Sequence, residues 1–303
     1  MIVQIYEIQT SQEAEKCLEA GVDRLGSVVL SEDEWRDSRL RETVRLVQNA
    51  GRKTSLIPLF THTENIYRTL DFYGPDYVHF CDNLVSPERK MQSLKPFIRL
   101  QEGVKSHFPE IKIIRSIPLP REEEDEEFPS LDIARELAAL SDVLLTDTWV
   151  QEQPVKGFIG ITGQTVDWDM ARKLVEESDV PVILAGGLSP ENVGEGILRV
   201  LPAGVDSCTL TNEKGPDGKP VRFRKDARKV REFVREVRMT EERLKEKRKA
   251  ELEKKLAGLQ GQLEERKAAL PAHSVRPNQL LAIEDLEEEI AKVERELTRV
   301  GDR

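Results

Sequence analysis

Several things are scarce in this chain, and each scarcity removes a class of protein. Of 303 residues only three are cysteine: Cys17, Cys81 and Cys208. An odd, sparse set makes no disulfide framework and suits a reducing compartment, so a cytoplasmic protein is expected. No stretch approaches about 18 consecutive apolar residues, which removes a membrane-spanning helix. The opening MIVQIYEI lacks a basic region followed by an apolar run and a cleavage site, and reads as a strand from residue 2 rather than a leader. Positive charge is in deficit, 46 Lys and Arg against 56 Asp and Glu for a net −10, so no nucleic-acid partner is expected. Aromatic residues are few, and all of them lie at or before Phe233.

The point where aromatics stop divides the chain. From Met239 onward, 14 bases and 15 acids fill 65 residues without one bulky core residue, so the acidity belongs to residues 1–238. In the tail Leu252, Leu256, Leu259, Leu263 and Leu270 form one periodic run. Ile283, Leu286, Ile290, Val293, Leu297 and Val300 form a second, alternating by three and four. Between them LPAHSVRPN, with Pro271 and Pro277, ends one helix and starts another. The tail, 239–303, is expected to be a helical hairpin of coiled-coil type, closed on itself or completed by another copy of the chain. His273 falls in its turn and receives no role.

Residues 1–238 alternate short apolar segments with helical ones. Segments 2–8, 24–30, 53–60, 77–82, 111–119, 142–147, 181–187 and 204–210 are rich in Val, Ile and Leu without polar alternation, as in strands buried on both faces of a parallel sheet. Eight strand–helix units in this length predict a (β/α)8 barrel, with an open doubly wound sheet as the alternative. In such a barrel the site lies at the C-terminal ends of the strands. That rule selects Tyr6 and Glu7, Arg36, Thr61 and His62, Cys81 and Asp82, Arg115, Asp147, Gly186 and Gly187, and Cys208 and Thr209.

Two stretches are more specific. In LAGGLSPENV (184–193) a strand ends in Gly186-Gly187, and Ser189-Pro190 reads as a helix start. Glycines there let an anionic group approach backbone N–H donors. In DTWVQEQPVKGFIGITGQTVDW (147–168), Asp147 ends a strand and precedes a loop carrying Gly157, Gly160 and Gly163; Asp167 reads as a helix cap. A carboxylate at the mouth of a barrel is a candidate general acid, and capping a nearby amide is its structural alternative.

LLTDT, the GxTGxTxDW pattern from Gly160 to Trp168, and LAGGLSPENV, in this order, resemble the phosphoribosylanthranilate isomerase family over residues 1–238. EAEKCLEAGVDRLGSVV is similar to that family's first helix and second strand. The resemblance implies a small phosphorylated substrate, an Amadori rearrangement, and no metal or cofactor. It also implies an aspartate acid that opens a furanose ring, a first-strand cysteine base, and phosphate bound after strands seven and eight. Asp147 falls on the acid, Gly186 and Gly187 on the first phosphate loop with Gly163 in the preceding loop, and Arg36 near a second-loop arginine.

Departures fall on the chemistry. The first-strand motif reads Gln4-Ile5-Tyr6-Glu7, with Tyr6 in place of the cysteine and Glu7 in place of the following glycine. The second phosphate loop reads Ser207-Cys208-Thr209-Leu210 and lacks its glycine. A tyrosine with pKa ~10 is a poor base at neutral pH. Glu7 and Tyr6 can both line the barrel only if the strand has already ended. Cys81, on the fourth strand, is the better substitute; an inert buried thiol is its structural alternative. The acidic run Glu122–Glu127 disfavours an anionic ligand if it faces the mouth, and is otherwise a solvated loop. Three functions follow: an isomerase of this type with an altered base, a relative acting on a different phosphorylated substrate, or an inactive barrel serving as a small-molecule-binding or assembly module through residues 239–303.

Overall fold

The computed structural model describes residues 1–121, 127–270 and 277–301. Most of the acidic run, Glu122–Glu126, and the turn holding Pro271 and His273 lie outside the described residues. The chain divides into two compact units, Met1–Arg238 and Met239–Arg303.

The first unit is a closed (β/α)8 barrel. Its strands are β1 (Ile2–Ile5), β2 (Arg24–Val29), β3 (Lys53–Pro58), β4 (Tyr77–Phe80), β5 (Lys112–Leu119), β6 (Val143–Thr148), β7 (Val182–Leu184) and β8 (Gly204–Ser207), paired in parallel in chain order. β8 returns to β1, pairing Ile2 with Gly204 and Gln4 with Asp206. Val3, Ile5, Leu56, Val78, Ile113, Leu144, Ile183 and Val205 are fully buried, as expected for strands covered on both faces.

Helices α1 (Ser11–Glu19), α2 (Ser38–Asn49), α3 (Thr63–Tyr73), α4 (Lys95–His107), α5 (Ser130–Ala138), α6 (Trp168–Glu177) and α7 (Val193–Val200) form the outer layer. Local chemistry sets their ends. The side chains of Thr10, Asp37 and Asp167 accept from first-turn amides of α1, α2 and α6, and Gly74 closes α3 in the left-handed conformation. One start differs from the sequence expectation. Ser189-Pro190 does not open α7; Asn192 does, and the segment before it is a turn in which Asn192 Oδ1 accepts from Ser189 N–H and Asn192 Nδ2 donates to the Gly187 carbonyl.

Two strands escaped the sequence reading. After β8, β9 (Asn212–Lys214) and β10 (Pro220–Lys225) form an antiparallel pair outside the barrel sheet. β9 contains no apolar residue, and β10 alternates only over Val221-Arg222-Phe223-Arg224, too briefly to stand out as a strand. α8 (Ala227–Ala268) then begins with Val230, Phe233 and Val237 buried in the first unit.

In the second unit, α8 and α9 (Pro277–Gly301) pack along the two periodic runs. Leu252, Leu259 and Val293 are buried, with Leu256, Leu286, Ile290 and Leu297 against them. Arg248–Glu296 (2.9 Å) and Lys255–Glu289 (2.8 Å) ion pairs flank the seam, and their opposed numbering makes the helices antiparallel. The seam is thus covered within one chain. No helix among the described residues is long and apolar enough to cross a membrane.

Candidate active site

At the C-terminal ends of the barrel strands a pocket of about 750 Å³, counted to its open mouth, is lined by Tyr6, Cys81, Asp147, Gly163, Gly186, Gly187, Cys208 and Thr209. These eight candidate residues therefore share one cavity, with Glu7 beside them. Arg36 does not: it is exposed, with its guanidinium 5.1 Å from the Phe72 ring centre on the outer layer. Thr61 and His62 are exposed at the start of α3. Arg115 is fully buried in a 2.8 Å ion pair with Asp82 and donates to Gln101, a structural assignment for all three.

Asp147 owes its position to Gly160. A side chain at 160 would put its first carbon 2.4 Å from Asp147 Oδ2, and φ there is +104°, a conformation that glycine adopts without strain. Asp147 Oδ1 accepts from the Thr148 amide at 2.9 Å. That single bond does not offset burial, which pushes the carboxyl pKa up to about 7. Asp147 is thus poised to hold and release a proton near neutrality. The same carboxyl thus meets the amide of the next residue of β6 and lines the pocket.

The glycines after β7 line the pocket and also seat one loop on another. A first side-chain carbon at Gly186 would lie 2.6 Å from Thr148 Oγ1, and one at Gly187 would lie 2.4 Å from the Gln164 carbonyl carbon. Past β8, Cys208 leads into a short turn, Thr209–Thr211, and Lys225 Nζ donates to its carbonyl at 2.7 Å.

The first-strand side of the pocket is built differently. Tyr6 Oη lies 2.7 Å from His79 Nδ1 and within hydrogen-bond distance of Ser55 Oγ; His79 Nε2 lies 2.7 Å from Ser116 Oγ. This chain of buried polar groups ties β1, β3, β4 and β5 together across the barrel. Burial holds His79 neutral, with its pKa down to about 3, and raises the Tyr6 hydroxyl well above its ordinary value. The Tyr6 ring needs Gly26: any side chain there would lie 2.1 Å from ring carbons. Cys81 is buried, and desolvation with Asp82 and Asp147 nearby pushes its thiol well up. Neither Tyr6 nor Cys81 ionises near neutral pH in this setting.

Glu7 resolves the parity problem of the first strand. β1 ends at Ile5, and Glu7 takes a left-handed φ of 63°. The β9–β10 segment compensates that strain: Arg222 Nε donates to Glu7 Oε1 at 2.6 Å and Asn212 Nδ2 donates to Oε2 at 3.1 Å. These bonds and the Lys225 charge outweigh burial and lower the Glu7 pKa.

One functional candidate escaped the sequence reading. Asp206 lines the same pocket, is buried, and has its pKa raised by burial to about 7. It lies inside the segment 204–210, whose end at Cys208-Thr209 drew the attention; its signal is an acid within a short apolar strand. Among the described residues no group of three or more His, Cys, Asp or Glu could hold a metal ion.

A closed (β/α)8 barrel with its pocket at the strand C-termini defines the fold class. Residues 103–236 match the family model for N-(5'phosphoribosyl)anthranilate (PRA) isomerase. The N-(5'-phosphoribosyl)anthranilate isomerase of Methanothrix thermoacetophila is 32% identical over 237 residues, covering 78% of this chain and 97% of that protein. That of Methanosarcina acetivorans is 35% identical over 133 residues, which span 43% of this chain and about half (52%) of the relative. A crystal structure of phosphoribosyl anthranilate isomerase in complex with reduced 1-(o-carboxyphenylamino)-1-deoxyribulose 5-phosphate matches the fold with a TM-score of 0.55 and 17% identity, over 78% of this chain and 99% of that one. The chain belongs to the phosphoribosylanthranilate isomerase family.

Proposed function

We propose that this protein is a sugar-phosphate isomerase: it opens the furanose ring of an N-(5'-phosphoribosyl) aromatic amine and rearranges it to the 1-amino-1-deoxy-ketose. The observation that carries this reading is Asp147, a carboxyl with pKa near 7 in the pocket at the barrel mouth. As a general acid it gives its proton to the ring oxygen while the C1–O bond breaks, leaving an iminium at C1. Val28, Ile57, Leu59, Phe158 and Ile159 supply an apolar wall suited to an aromatic group. The phosphate is assigned to the amides around Gly186-Gly187 and Cys208-Thr209. The relative solved with a deoxyribulose 5-phosphate ligand supports a phosphorylated substrate.

A second reading keeps the chemistry and changes the amine. Among the described residues the pocket lining contains Glu7, Asp147 and Asp206 but neither Lys nor Arg, and Arg36 lies outside it. A carboxylate on the ring would be desolvated there without a counter-charge. An uncharged aryl amine fits that lining better.

Turnover of N-(5'-phosphoribosyl)anthranilate and N-(5'-phosphoribosyl)aniline by the purified full chain tests both. The isomerase reading expects turnover of at least one of them and a loss of about 10²–10⁴-fold in Asp147→Asn. No turnover of either above that variant overturns it. Preference for anthranilate overturns the second reading alone.

A further inference from the structure

The family's first-strand base is absent here, and seven titratable groups line the pocket: Tyr6, Glu7, His79, Cys81, Asp147, Asp206 and Cys208. Hydrogen bonding and desolvation together remove most of them as proton acceptors. Tyr6 is held between Ser55 and His79. His79 uses both ring nitrogens. Glu7 is clasped by Arg222 and Asn212. Desolvation raises the thiols of buried Cys81 and half-buried Cys208 well above their ordinary value, so both stay protonated. Asp147 is the acid.

Asp206 remains, and strand register places it. β6 pairs with β7 at Leu145–Ile183, and β7 pairs with β8 at Ile183–Gly204 and Leu184–Val205. Continued by two residues, the ladders bring Asp147, Ala185 and Asp206 to one level. The two acids therefore stand on alternate strands with roughly 10 Å between their backbones, two strand spacings, and Ala185, the smallest side chain available in that position, leaves the space between them open. Each is anchored by one oxygen. Asp147 Oδ1 accepts from Thr148, and Asp206 Oδ1 accepts from Gln4 Nε2 at 3.0 Å. Gln4 Oε1 in turn accepts from Arg24 Nη1 at 3.2 Å, so a charged residue beneath the pocket fixes the amide that fixes the carboxylate. Among the described residues the second oxygen of each acid has no hydrogen-bond partner, leaving it available to a ligand.

We propose that Asp206 is the general base of this site, standing across the substrate from Asp147 and taking the role of the missing first-strand cysteine. This rests on the isomerase reading above. In the step, Asp206 removes the C2 proton of the iminium. The C2–H electrons form the C1–C2 double bond, and the iminium π electrons return to nitrogen, giving an enolamine. The enol O–H then gives up its proton to water at the open mouth of the pocket, Asp206 delivers its proton to C1, forming the C2 carbonyl, and Asp147 regains a proton from water. Both carboxyls end as they began, and no co-reactant is needed. Charge on Asp206 is governed by Asp147 from β6, Arg24 from β2 and Lys225 from β10, with Gln4 of β1 as its donor.

The test separates base from acid. The aminoketose product of whichever substrate is turned over is incubated with enzyme in D2O, and loss of its C1 protons is followed by NMR. Enolisation needs the base but not ring opening. Asp206→Asn is expected to lower both turnover and exchange by ~100-fold or more, while Asp147→Asn loses turnover and keeps exchange. Gln4→Met removes the donor to Asp206, which disfavours its charged form, so the acidic limb of the exchange profile moves to higher pH. That shift is unexpected for a merely structural glutamine, and it decides the matter should Asp206→Asn fail to fold. Asp206→Asn retaining exchange within ~3-fold of wild type, or an unmoved limb in Gln4→Met, overturns the assignment while leaving the isomerase reading intact. A wild-type protein with neither turnover nor exchange overturns both.

Discussion

The two halves of the barrel have been treated differently. The half from β5 to β8 falls within the family match at residues 103–236 and carries both acids, the glycine loops and the open face of the pocket. The half from β1 to β4 carries a large phenol, Tyr6, just past its first strand, and its pocket-side groups Ser55, Tyr6 and His79 bond to one another, reaching Ser116 on β5. One half keeps carboxyl oxygens free for a ligand; the other spends its polar atoms on rigidity. A barrel tolerates this division because each strand end contributes its own side chain to a common mouth. A role lost from one strand can therefore be taken by another without altering the scaffold.

The sharpest way to break the comparison is Gly160→Ala. The added carbon collides with Asp147 Oδ2 at a backbone angle that alanine disfavours, so Asp147 must move. A displacement near 1 Å costs about 10²-fold in rate. Steady-state kinetics of a folded Gly160→Ala protein check this, and a rate within threefold of wild type would show that the carboxyl's position does not matter.

Next in size is the pH profile. As acid and base of the proposed step, Asp147 needs to be protonated and Asp206 ionised, and burial brings both to about 7. kcat/KM is therefore bell-shaped around neutrality, falling about tenfold per pH unit beyond each limb. Above 7 the rate falls as Asp147 loses its proton; below 7 it falls as Asp206 gains one. The two limbs belong to the coupled pair. A flat profile from pH 5 to 9 would remove the pair from the mechanism.

On the first-strand side the effect is on stability. Gly26→Ala forces a carbon into the Tyr6 ring and costs about 1–3 kcal/mol. In a Tyr6→Cys background the same change should cost under about 1 kcal/mol, because the colliding ring is gone. Denaturant melts of the four proteins read the coupling, and additive costs would deny that Gly26 accommodates Tyr6.

The smallest expected effect concerns residues 239–303. Their apolar seam is covered within one chain, so truncation after Arg238 is expected to leave turnover within about twofold. Solution mass of the same pair of proteins tests the proposal that this unit joins copies: the mass must fall by more than the segment's own if it does.

Much of the fold was legible because it is written locally. Each apolar segment of six to nine residues bounded by helix signals announced a buried strand, and the order of eight announced closure. β9 and β10 were not legible, since Asn212-Glu213-Lys214 has no strand composition and its partner is set by the clasp on Glu7. Asp147 was legible from its strand end and the glycine loop. Arg36 was misplaced, because a loop residue's direction depends on what it meets, here Phe72 from α3. The parity objection to Glu7 dissolved because the strand stops at Ile5, three residues earlier than its composition suggests.

The sequence by itself determined the barrel, the helical tail, the carboxyl at the end of the sixth strand and the tyrosine just past the first. These depend on periodicity and residue type within short windows. Only the tertiary structure decided which buried polar groups meet. Asp147 and Asp206 come level through two successive strand registers, and Tyr6 finds Ser55 and His79 only when the sheet closes. Local pattern dictates which face of a strand is buried. Register and closure, which sum pairings between strands far apart in the chain, dictate what each buried side chain finds there.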